Sequence, residues 1–99
     1  MIRRTVTFTP QAHSDLLNIG DWITERAGAD VARSYIARLE NYCLGFEFAG
    51  ERGQRRDDLR PGLRVIGFER RVAIAFAISE DEVVILRLHY GGQNWDLAN

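Results

Sequence analysis

The stretch Val72-Ala73-Ile74-Ala75-Phe76-Ala77-Ile78-Ser79 decides the fold. Large and small side chains alternate along it, and a period of two marks a strand whose faces meet different surroundings. Val72, Ile74, Phe76 and Ile78 form one face and require an apolar layer against them. Ala73, Ala75, Ala77 and Ser79 form a shallow floor on the other side. The flanks read the same way. Leu63–Glu69 precedes and Val83–Tyr90 follows, with Glu69-Arg70-Arg71 and Glu80-Asp81-Glu82 as the turns between. Consecutive strands joined by turns this short run antiparallel.

The layer for the large face lies upstream. Pro10–Ala27 carries Ala12, Leu16, Ile19, Ile23 and Ala27 at helical spacing, with Thr9 as N-cap and Pro10 at the first helical position. Gly28 ends it, and a second helix starts at Ala29-Asp30, where the carboxylate suits the helix N-terminus. Its stripe is Ala32, Tyr35, Ile36, Leu39, Tyr42, Cys43 and Phe46. So short a connection makes an antiparallel helical hairpin. Arg3–Thr9 alternates and reads as a first strand, with Val6 and Phe8 on one face. Gly50–Gly62 is polar and glycine-rich and reads as a surface loop, long enough to suggest a function. The expected order is β-α-α-β-β-β, an α+β fold with the hairpin packed on one face of a mostly antiparallel four-stranded sheet. At 99 residues it is expected to be a single domain over 1–99.

Composition narrows the function classes. The hydrophobic share of 45% and charged share of 27% are those of a globular chain. The formal charge of -1 argues against general electrostatic binding to nucleic acid, and no direct sequence-specific nucleic-acid binding is expected. A single cysteine, Cys43, leaves no internal disulfide and fits a cytoplasmic setting. The longest apolar run, Val72–Ile78, is far short of the roughly 20 residues a membrane span needs, and no signal segment stands at Met1. The two histidines, His13 and His89, sit in no ligand pattern, so neither metal nor cofactor is expected. All 13 basic residues are arginine, so placement rather than number carries any functional weight.

Strict alternation puts Val83, Ile85, Arg87 and His89 together, opposite Val84, Leu86, Leu88 and Tyr90. With the charged set outside the core, Arg87 and His89 stand beside the alanine floor, and Arg64 joins them if the register allows. Taken alone, such residues are ordinary on the solvated face of an antiparallel sheet. An apolar floor beside them points instead to a partner. Leu17 and Trp22 lie off the helix stripe and offer a second apolar surface. Asp57 and Asp58 are adjacent carboxylates in a charged run, a weak arrangement for acid/base work. His89 and Tyr90 are the only acid/base combination, and neighbours on a strand point to opposite faces.

One resemblance covers nearly the whole chain. Thr9, Asp15-Leu16, Ile19, Ile23, Ala27-Gly28, then Leu59-Arg60-Pro61-Gly62-Leu63-Arg64, and finally Leu86-Arg87-Leu88-His89-Tyr90-Gly91-Gly92-Gln93-Asn94-Trp95 resemble the ParE branch of the RelE/ParE toxin superfamily. The resemblance implies a bacterial type II toxin that acts on DNA gyrase and blocks replication. It also implies a cognate antitoxin, a ParD-like ribbon-helix-helix DNA-binding protein that wraps the toxin with extended and helical segments. On this reading Leu17, Trp22, Arg64, Ala73, Ala75, Ala77, Val83, Ile85 and Arg87 meet the antitoxin, and Arg87, His89 and Trp95 meet the target. RelE-type relatives instead cut mRNA on the ribosome, and Arg87-Leu88-His89-Tyr90 is similar to the Arg-x-His-Tyr ending of YoeB-like ribonucleases. In that alternative Arg64, Arg87, His89 and Tyr90 are the catalytic candidates.

Overall fold

The structure is a computed structural model that describes residues 3–91. Its elements run β1 (Thr5–Phe8), α1 (Pro10–Ala27), α2 (Ala29–Leu44), α3 (Phe46–Ala49), β2 (Gln54–Arg55), β3 (Leu63–Phe68), β4 (Val72–Ile78) and β5 (Glu82–Tyr90). Among the described residues the sheet has five strands in the order β1-β5-β4-β3-β2. β1 runs parallel to β5 and every other pairing is antiparallel. The expected architecture holds, with one extra strand. Gln54 and Arg55, inside the segment read as loop, pair with Val65 and Arg64. Two polar residues carry no alternation to read. The partner strand makes them a strand.

Helix boundaries follow local chemistry. The Thr9 hydroxyl accepts from the Ala12 N–H at 3.1 Å and donates to the Leu86 carbonyl at 2.9 Å, so the cap also ties α1 to β5. Gly28 has φ 97° and ψ 162°, a region open essentially to glycine alone, so its lack of a side chain is what lets the chain turn between the helices. The second helix stops at Leu44, and Phe46 belongs to the short α3 beyond Gly45.

The hairpin buries Leu16, Ile19, Ile23, Tyr35 and Leu39, and α3 buries Phe46, against Val72, Ile74 and Phe76, with Ile78 packed at the margin. Phe46 and Phe76 sit at the centre with ring centroids 4.8 Å apart. Cys43 lies in the same core, and burial pushes its thiol from 9.0 up to about 12. Burial likewise pushes the Tyr35 phenol from 10.0 to about 12, with Glu69 adding to it. Both groups ionise later in the folded chain than in the unfolded one. Their contribution to stability is therefore complete below about pH 9 and is lost as pH rises toward 12. We expect an unfolding midpoint that is flat from neutral pH to about 9 and then falls, each group removing up to about 1.4 kcal/mol per pH unit. Cys43→Ala should move the onset of that fall to about pH 10, whatever its cavity costs at neutral pH. An unchanged onset in a pH series of thermal melts contradicts this.

Candidate functional site

A bulge in β5 builds the site. Ala75 pairs with Arg87 but Phe76 pairs with Ile85, so Leu86 is an extra residue and the alternation shifts there. Before the bulge Val83 and Ile85 face the helices; after it Leu88 and Tyr90 do. Val83 and Ile85 are thus core residues, fully buried, and not part of the alanine floor on which strict alternation put them. The open face instead carries Val84, Arg87 and His89 beside Ala77, Ala75 and Ala73, their cross-strand partners.

Two side chains from the α1 N-cap and first turns hold the bulge. The Thr9 hydroxyl takes the carbonyl of Leu86. Asp15 Oδ2 accepts the Leu88 N–H at 2.8 Å and the Arg87 Nε–H at 2.9 Å, while Oδ1 accepts from Arg87 Nη2 at 3.2 Å. The Asp15 side chain is only 12% exposed. Its hydrogen bond to Arg87 holds that guanidinium above its ordinary pKa. His89 is pushed the other way, first by desolvation and then by the Arg87 charge, which favours the neutral imidazole.

Arg64 is a second correction. It pairs with Phe76 in the ladder and so lies on the helix-side face, where Nη1 donates to the Arg52 carbonyl at 3.4 Å. It does not join Arg87. Alternation along β3 decides this, and it could be read only once the β3–β4 register was known. Ala75 is 0% exposed, and so is closed off in the free chain; Ala73 and Ala77 on either side are half-buried. Asp57 and Asp58 do not work as a pair, since each has its own arginine, Arg55 at 3.3 Å and Arg56 at 2.9 Å. Trp95 lies outside the described residues.

The helices also divide what the sequence grouped. Leu17, 71% exposed, lines a groove of about 570 Å³ between the outer sides of α1 and α2, with Gly20, Ala32 and Ile36 in its floor and Asp21, Arg33 and Glu40 along its rim. Trp22 turns the other way and packs on Tyr90 with centroids 4.8 Å apart. The helical wheel could not separate the two, because both lie off the core stripe. Among the described residues no group of His, Cys, Asp and Glu could hold a metal ion, and no helix is long and apolar enough to cross a membrane.

The comparisons agree with this geometry. Residues 6–95 match the model of a family described as the ParE toxin of the type II toxin–antitoxin system parDE. No curated protein matches. A structure of the chromosomal ParDE toxin–antitoxin system from P. aeruginosa is similar, with a TM-score of 0.78 at 22% identity over 90% of this chain and 97% of that one. A structure of the toxin–antitoxin complex RelBE2 from Mycobacterium tuberculosis gives 0.66 at 21% identity, over 94% of this chain and 97% of that one. At these identities the likeness speaks for the fold.

Proposed function

We propose, starting from the fact that the chain belongs to the ParE toxin family of type II toxin–antitoxin systems, that it inhibits DNA gyrase and is held inactive by a cognate ParD-like antitoxin. One observation carries the choice of target. The Arg87 guanidinium is engaged by both oxygens of Asp15 and is not turned to an incoming phosphate. In the ribonuclease alternative Arg87 is a catalytic candidate, and that role asks for a guanidinium free to meet the RNA. Here the neighbouring imidazole is also biased to its neutral form, which weakens it as a general acid. The charge of -1 adds to this, because binding RNA draws on phosphate neutralisation.

Two surfaces suit the antitoxin. A helical segment fits the α1–α2 groove over Leu17, and an extended segment fits the open sheet face over Ala73, Ala77 and Val84. Such a partner, unfolded when free, gains affinity by covering both. Arg87 at the edge of the face gives orientation more than net affinity. The experiment is a supercoiling assay with purified gyrase and the chain freed of antitoxin, with ribosome-programmed mRNA assayed on the same preparation. Inhibition of supercoiling without mRNA cleavage is the expected result.

A further inference from the structure

Where β5 ends beside the β3–β4 turn, the molecule carries an aromatic and basic surface that neither antitoxin segment uses. Trp22 is 40% exposed, and the Arg26 guanidinium lies 3.8 Å from its ring centroid, pinning the indole against Tyr90. Tyr35 stands behind Tyr90, edge-on at 5.8 Å, and its hydroxyl is buried without a hydrogen-bond partner among the described residues.

The turn is equally unusual. Glu69 and Arg70 both adopt positive φ, 49° and 58°, though neither is glycine or asparagine. A left-handed L-residue costs roughly 1–2 kcal/mol, and strain of this kind persists where function keeps it. Arg38 clamps the turn through both Glu69 oxygens, at 3.0 and 3.1 Å. Among the described residues, eight of the thirteen arginines have a carboxylate within 4 Å. Arg70 and Arg71 are exposed and, like Arg52, Arg60 and Arg64, have none among the described residues.

We propose that this end is the face by which the toxin grips its protein target, docking an acidic segment whose carboxylates meet Arg70 and Arg71 while its apolar part lies on Trp22. The proposal rests on the gyrase reading and adds a surface to it. Arginine and tryptophan are the residue types that dominate binding energy at interfaces, and the Arg38 clamp fixes the turn before the partner arrives. A nucleic-acid backbone is a poorer fit. Two uncompensated charges at a turn make no stripe for phosphates, and the chain as a whole is slightly acidic.

The test compares R70E/R71E and R70G/R71Q with the wild type in gyrase supercoiling, in antitoxin affinity by calorimetry and in thermal unfolding. Both variants should inhibit at least about 10-fold more weakly and bind antitoxin as the wild type does. R70G/R71Q should also melt higher, since glycine relieves the strained φ, so lost inhibition there cannot come from lost stability. Wild-type inhibition by both variants overturns the proposal. A loss of antitoxin affinity instead assigns this end to the antitoxin and also overturns it. If the wild-type chain itself fails to inhibit gyrase, the target reading is wrong and the proposal falls with it.

Discussion

Replacing Phe46 by alanine should lower the unfolding midpoint by at least about 12 °C, from a loss of roughly 3–5 kcal/mol in a domain of this size. Phe46 is 0% exposed. Its ring meets Phe76 at 4.8 Å and Tyr42 at 5.5 Å, and Arg52 lies over it with Cζ 5.3 Å from the centroid. It enters the core from α3, a single turn with no helical stability of its own. Truncation therefore opens a cavity between sheet and hairpin and also frees α3 and the N-terminal end of β1, which α3 holds through the Arg4 N–H to the Glu47 carbonyl at 2.7 Å. Collapse around the cavity is restricted because strands fix the opposite wall. Leu39→Ala, at the other buried centre, should cost about 2–5 kcal/mol for the same reason. Chemical denaturation of the two variants checks both energies, and a thermal midpoint within a degree of wild type for Phe46→Ala contradicts the packing described.

Asp15→Ala is the second large effect, and it tests the bulge. The change removes a bidentate partner from Arg87 and the acceptor from the Leu88 N–H together. Charge-assisted bonds of this kind are worth about 1.5–3 kcal/mol each when desolvated. The Arg87 side chain is 40% exposed, so solvent screening discounts its share. A total of about 2–3 kcal/mol is expected, and about half of that for Asp15→Asn, which keeps an acceptor for Leu88. Hydrogen exchange should show faster opening at Leu88 in Asp15→Ala, with the Ile74–Leu88 ladder loosened and β3 unaffected. Uniform destabilisation with no local change at Leu88 contradicts the role given to Asp15.

The sequence made the hairpin, the order of the long elements and the large face of β4 legible because each rests on periodicity within one segment. Thr9 and Pro10 marked the start of α1 for the same local reason. The open face was only half legible. Ala73, Ala75 and Ala77 do share it, and Leu88 and Tyr90 face the core as read, but Val83, Val84 and Ile85 changed sides because of one extra residue, Leu86, in β5. Nothing local marks that bulge. It is held from the α1 N-cap and first turns by Thr9 and Asp15, more than 70 residues away in sequence. Arg64 was misplaced through register, which no single strand reveals. Leu17 and Trp22 needed the positions of neighbouring elements, α2 for one and β5 for the other, before they could be told apart. The turn at Glu69 and Arg70 was read correctly as a turn, yet its residue types hid the left-handed conformation, since glycine or asparagine is the usual sign of it.

The measurement closest to the central claim is gyrase supercoiling in the presence of the antitoxin-free chain, titrated to stoichiometry with the enzyme and repeated after adding antitoxin. The account predicts that supercoiling stops, that antitoxin restores it, and that ribosome-bound mRNA incubated with the same preparation stays intact. Site-specific mRNA cleavage that disappears in His89→Ala, with supercoiling untouched, contradicts it and places the chain with the ribonucleases of its superfamily.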